Sequence, residues 1–147
     1  MMADLSNLIS KDTATMHQWP VRVYYEDTDA GGVVYHSNYL KYMERARTEW
    51  LRSAGFSQPV LANDLAAVFV VANMSIDFKA PARFDDQLNI QSRILESTGT
   101  RFQFEQNIIG DDVLICSAIV NVVCVDSVTF KPKRIPEQIK AKLSYDN

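Results

Sequence analysis

From Asn38 to Ala54 the apolar positions Tyr39, Tyr42, Met43, Ala46, Trp50, Leu51 and Ala54 recur at steps of three and four, while Lys41, Glu44, Arg45, Arg47 and Glu49 fill most of the gaps. That period predicts one amphipathic helix of about 25 Å. Ser37 or Asn38 is the expected N-cap, and Gly55 followed by Phe56 suits a left-handed stop with an apolar contact. Ahead of the helix, Trp19–Glu26 (WPVRVYYE) is β-branched and aromatic and reads as a strand. Behind it, Ala67–Phe78, Gln87–Ser97, Arg101–Ile109 and Val113–Asp126 read as four more strands, separated by KAPARFDD, STGT and GDD. Pro136–Leu143 (PEQIKAKL) suits a short helix opened by proline.

One helix followed by an antiparallel meander implies an α+β domain in which a sheet wraps the helix. A chain of 147 residues, 47% hydrophobic and 22% charged, fits one such domain. We assign residues 19–147 to it and 1–18, which are polar and aperiodic, to a lead-in that carries little function. The sheet has one covered face, and its unpaired edges must be blunted or joined to another chain. A homo-oligomer of even number is therefore expected.

Charge and cysteine usage narrow the partners. A net charge of −3 argues against a nucleic-acid surface, which needs a basic face. No apolar run approaches the roughly 20 residues that cross a bilayer, and MMADLSNLISKDTATMHQWP lacks the basic leader and apolar core of a signal, so a cytoplasmic protein is expected. Cys116 and Cys124 lie eight residues apart on one predicted strand, facing the same side but too distant to bond, and are expected to be buried free thiols. With His17 and His36 they offer no zinc-ligand spacing, so neither a metal nor another cofactor is expected.

The chemistry concentrates in EDTDAGGVVYHSN, just ahead of the helix. A helix start carries unpaired N–H groups and partial positive charge, which can stabilise an anion developing on a carbonyl oxygen. Gly31 and Gly32 allow the backbone to approach a ligand, and Asp29 would place a carboxylate beside the polarised carbonyl. Taken alone, DTDAGG suits a turn equally well. Asp27 reads as the structural acid, able to accept N–H groups two residues on, and His36 reads equally as a packed helix-start residue.

The run VRVYYEDTDAGGVVYHSNYLKYMERARTEWLRSAGFS, Val21 to Ser57, resembles the signature of the 4-hydroxybenzoyl-CoA thioesterase family of the hotdog fold, most closely its YbgC type, the acyl-CoA thioesterases linked to the Tol-Pal cell-envelope system. VVANMSIDFKAPARFDDQLNIQSRI and VVCVDSVTFKPKRIP resemble later parts of that type, so the likeness covers roughly Trp19 to Pro136. It implies a hotdog domain that hydrolyses acyl-CoA thioesters. The second acid of the D-x-D unit, Asp29, is the implied carboxylate, the backbone N–H of His36 the oxyanion donor, and the His36 side chain an assistant.

A coenzyme A thiolate leaves readily, its pKa being near the roughly 8.5 of a cysteine thiol, so this short list of parts suffices. Asp29 can serve as nucleophile or as general base; the letters do not choose. The coenzyme's phosphates call for cations, for which Lys79, Arg83, Lys131, Lys133 and Arg134 are candidates, plain surface being the alternative for each. Tyr35, Tyr39, Met43 and Phe69 are candidate acyl contacts, and Glu44 is expected to pair on the surface or steady the loop. The resemblance further implies a homotetramer built as a dimer of dimers, the nucleotide end of the coenzyme leaning on the neighbouring chain, with an acyl carrier protein or a Tol-Pal-linked component as a possible contact. Two other readings compete: a non-catalytic acyl-binding or envelope-complex module on the same scaffold, against which the intact Asp29, glycine pair and His36 speak, and a hotdog hydratase, which resembles a pattern with a closer Asp–His spacing than the seven residues here.

Overall fold

The computed structural model describes residues 16–145, so most of the predicted lead-in lies outside the described residues. The elements run β1 (His17–Arg22), a 3₁₀ turn (Tyr25–Asp27), α1 (His36–Ser53), α2 (Gln58–Asp64), β2 (Ala67–Phe78), β3 (Gln87–Ser97), β4 (Arg101–Gly110), β5 (Val113–Asp126) and α3 (Glu137–Tyr145). Strands β2, β3 and β5 coincide with the predicted spans, and β4 gains one residue. The first strand differs: it starts at His17 and stops at Arg22, and the aromatic run Tyr24–Tyr25 turns away into the 3₁₀ turn. The helix α2 is absent from the sequence reading. Its signals were Ser57, whose hydroxyl accepts the Val60 N–H at 3.4 Å, and Pro59 in the first turn.

All strand pairs are antiparallel, in the order β1-β3-β4-β5-β2. Only β3-β4-β5 is the meander expected from chain order. β2 joins the far side of β5, because the segment from Lys79 to Asp86 carries the chain across the end of the sheet, and β1 takes the place beside β3. The two edges are unlike. β1 is six residues long and contains Pro20, which blunts it, whereas β2 is twelve residues long and exposed over most of Val71–Phe78.

The helix α1 lies over the sheet with Tyr39, Tyr42, Met43, Ala46, Trp50 and Leu51 buried, as its period predicts. The large apolar side chains among them contribute about 1.5–3 kcal/mol each. It ends in a Schellman stop: Gly55 sits at φ +99, the Phe56 N–H donates to Leu51 O at 3.0 Å, and the Gly55 N–H to Arg52 O at 2.9 Å. Beneath its middle the buried Gln106 fixes the helix on the sheet. Its amide nitrogen donates to Met43 O at 3.0 Å and Ser92 Oγ at 2.9 Å, and its oxygen accepts from the Arg47 guanidinium at 2.8 Å. Cys116 and Cys124 are free and buried on the same face of β5.

Candidate active site

The acid-glycine loop is a small hairpin. The Asp29 N–H donates to Val33 O at 2.9 Å, the Gly32 N–H returns to Asp29 O at 3.0 Å, and Thr28 pairs with Val34. A type I turn followed by a left-handed residue closes such a loop, and Gly32, at φ +82, is that residue. The Asp29 carboxylate accepts the Gly31 N–H at 2.8 Å and lies 3.4 Å from the Val33 nitrogen. Thus the forward-reaching turn expected of Asp27 belongs to Asp29, whose exposed side chain is oriented by its own loop. A Cβ at Gly31 would stand 3.2 Å from Asp29 Oδ1, which explains glycine there.

Asp27 reaches back instead. Its carboxylate accepts the Tyr24 N–H at 2.9 Å and the Tyr42 hydroxyl at 2.9 Å, and its carbonyl accepts the Tyr35 N–H at 3.1 Å and the Asn38 side-chain amide at 2.8 Å. Neither Ser37 nor Asn38 is the cap. Tyr35 occupies that position and makes no side-chain cap bond, and Asn38 lies inside the first turn with its amide nitrogen donating to the Asp27 carbonyl. The Asn38 N–H turns back to Tyr35 O at 2.9 Å. The first N–H groups of α1, those of His36 and Ser37, are thus left without a side-chain cap among the described residues.

Around this end the aromatic rings gather. His36 is exposed, with its ring centroid 4.4 Å from that of Tyr35 and 6.2 Å from that of Phe78 at the end of β2. Tyr39 is buried, 5.7 Å from Phe78, and its hydroxyl accepts the Ala82 N–H at 3.1 Å while Ala82 O accepts the Val34 N–H at 2.8 Å. Burial holds the Tyr39 phenol above its usual value, opposed by the Ala82 bond and reinforced by smaller contributions that include the Asp29 charge. Burial, then the bond to Asp27, raises Tyr42 further. Both stay protonated at neutral pH.

Of the candidate cations, Arg83 pairs with Val33 through the backbone, and the Lys79 N–H donates to Ile115 O at 2.8 Å, so both exposed side chains belong to the Asp29 end. The others do not. The Lys133 N–H donates to Cys124 O at 2.9 Å and Arg134 lies against Gly99. From Ile115 to Cys124 the strand advances about 30 Å at 3.4 Å per residue, which separates Lys131, Lys133 and Arg134 from Asp29 within one chain.

A cavity of about 490 Å³ opens between the second half of α1 and the sheet, lined by Glu44, Arg47, Trp50, Phe69, Phe102 and Phe104 among others. Of the candidate acyl contacts only Phe69 lines it; Met43 and Tyr39 are core residues. Glu44 is exposed at the cavity edge rather than beside the loop, and lies in neither described ion pair, Arg52–Glu49 or Arg93–Glu105. Among the described residues no group of histidine, cysteine or acidic side chains has the arrangement of a metal site.

Comparison with known proteins gives a consistent picture. A family model described as the thioesterase-like superfamily matches residues 23–143. An acyl-CoA thioester hydrolase YbgC from Shigella flexneri is 50% identical over 129 residues, covering 87% of this chain and 96% of that protein. An acyl-CoA thioesterase YbgC from Haemophilus influenzae is 45% identical over 84% of this chain and 90% of its own. Among solved structures, a probable thioesterase from Bartonella henselae superposes with a TM-score of 0.79 at 40% identity, over 82% of this chain and 99% of that one.

Proposed function

Because the chain belongs to the thioesterase-like, hotdog superfamily and matches YbgC acyl-CoA thioester hydrolases along most of its length, we propose that it hydrolyses acyl-CoA thioesters with Asp29 as the reacting carboxylate and the open start of α1 as the oxyanion site. One observation carries this reading: a single hairpin holds an exposed carboxylate by its own Gly31 N–H and leads directly into a helix start left uncapped. The thioester carbonyl oxygen would accept the His36 N–H, where the tetrahedral oxyanion is stabilised as it forms. Asp29 then either attacks the carbonyl carbon, giving an anhydride that water cleaves, or takes a proton from water as it attacks. In both courses the C–S bond breaks and coenzyme A leaves as thiolate. The His36 ring, Tyr35 and the two glycines shape the entrance, with the ring as an assisting group.

The geometry also supports a dimer. Pairing β2 with β2 of a second copy about a two-fold axis closes the open edge and is necessarily antiparallel. The Phe78 end of one strand, beside His36, then meets the Ala67–Val71 end of the other, which borders the cavity and, through β5, the Lys131–Arg134 segment. Lys79 and Arg83 would serve the coenzyme from the same chain, and Lys131, Lys133 and Arg134 from the second copy. Two such dimers would form the expected tetramer. Buried free thiols accord with a cytoplasmic site, and the YbgC likeness motivates pull-downs with an acyl carrier protein and with Tol-Pal components.

The test is thiol release from acyl-CoAs of graded chain length by wild type and Asp29→Asn. Asparagine keeps the volume and can still accept the Gly31 N–H, so the variant should fold and lose at least a factor of about 10² in turnover. Near-wild-type release by Asp29→Asn would remove Asp29 from the chemistry; no release from any acyl-CoA by wild type would remove the thioesterase reading itself.

A further inference from the structure

We propose that Asp27, Asn38 and Tyr42 form a positioning clamp that sets the open start of α1 against the Asp29 turn; this rests on the thioesterase reading above. The three meet at one residue. Asp27 accepts four hydrogen bonds, two on its carboxylate, from the Tyr24 N–H and the Tyr42 hydroxyl, and two on its carbonyl, from the Tyr35 N–H and the Asn38 amide. Tyr24 precedes the loop, Tyr35 closes it, and Asn38 and Tyr42 stand one and two turns into α1. Every part of the machinery whose separation matters is therefore referred to Asp27, two residues from Asp29.

Two features separate this from ordinary core packing. The Tyr42 ring is 1% exposed and would fill its place equally well as phenylalanine, yet its hydroxyl is aimed at Asp27. Asn38, in the first turn of α1, sends its side-chain amide 11 residues back to the Asp27 carbonyl at 2.8 Å, a tertiary bond rather than a local one, at a helix end whose N-cap residue Tyr35 makes no side-chain cap bond. That amide donates, so it ties the loop to the first turn of α1 without closing off the helix's own N–H groups. On the return side Val34 and Tyr39 both bond to Ala82, so the hairpin and the helix start are held between two struts, and only the Asp27 strut starts within the loop that carries Asp29.

The clamp acts through Asp29 and His36 rather than on substrate, so its loss should appear in turnover more than in binding. Tyr42→Phe and Asn38→Ala are each expected to lower kcat about tenfold with KM changed less than twofold, since misplacement of an oxyanion donor is felt in the transition state. The double variant should lose less than the product of the two, because both act through Asp27. Asn38→Gln, which keeps a donor, should recover part of the rate, whereas the isosteric Asn38→Asp, which has none, should not.

Amide hydrogen exchange supplies a readout independent of turnover. Exchange at the hydrogen-bonded amides Gly31–Tyr35 should quicken about tenfold in Tyr42→Phe and Asn38→Ala, with Met43–Arg52 unchanged. Exchange that quickens uniformly along α1, or kcat held within twofold of wild type, overturns the clamp. Should wild type release no thiol from any acyl-CoA, the thioesterase reading falls, and unchanged exchange at Gly31–Tyr35 would then overturn the clamp by itself.

Discussion

The reach of the distant cations gives the sharpest test of a shared site. Lys131, Lys133 and Arg134 stand at the Cys124 end of β5, about 30 Å along the strand from the Ile115 end where the Asp29 loop is anchored. If they hold the coenzyme's phosphates, they do so for the other chain. Replacing all three by alanine removes surface charges, Lys133 half-buried and the other two exposed, worth up to about 1 kcal/mol each, which should raise KM roughly 10- to 100-fold. The fold should survive, since the Lys133 N–H to Cys124 O bond is backbone to backbone. Mix this triple variant with Asp29→Ala, unfold and refold together, and half the dimers are hybrids. In each hybrid one site combines an intact Asp29 from the first chain with intact cations from the second, so the mixture should run at roughly a quarter of the wild-type rate at substrate near the wild-type KM. If tagged pull-down confirms hybrids and the rate stays at the mean of the parents, the cations serve their own chain or no site at all.

His36→Ala should reduce turnover less than Asp29→Asn, because the proposed oxyanion donor is the backbone N–H and survives truncation; equal losses in two folded variants would make the ring a primary catalytic group. The two loop glycines should separate stability from rate. Gly32→Ala meets no atom within 4 Å but must hold φ +82, so denaturant titration should show a loss of about 1 kcal/mol, while Gly31→Ala, whose Cβ would press on Asp29 Oδ1 at 3.2 Å, should lower kcat with little change in stability. Burial pushes the Cys116 thiol up to about 12 from an ordinary 9.0, so its contribution is whole below pH 9 and is lost as pH rises toward 12, by up to about 4 kcal/mol. Urea midpoints should fall more steeply above pH 9 in wild type than in Cys116→Ala; parallel curves would count against it.

Local periodicity alone determined much of this protein. The 3.6-residue stripe from Tyr39 to Leu51 and the Gly55–Phe56 stop are properties of a single segment, as are the four alternating strands from Ala67 to Asp126, and each was legible because its signal and its structure share the same residues. The acid-glycine segment was legible as a turn ahead of the helix for the same reason. What the letters left undecided depends on groups distant in the chain. Which of Asp27 and Asp29 turns forward was settled by the Tyr24 N–H and by Tyr42, 15 residues on, which claim the Asp27 carboxylate and leave Asp29 to the Gly31 N–H. Asn38 is not the cap because the helix opens earlier, with Tyr35 at the cap position and Asn38 inside the first turn. Strand neighbours followed from the crossing at Lys79–Asp86, which no alternation encodes, and that crossing placed β2 at an open edge. The basic residues of FKAPAR and FKPKR look alike as sequence, and only the register of β5 sends them to opposite ends of the sheet, since a strand converts nine residues of separation into about 30 Å.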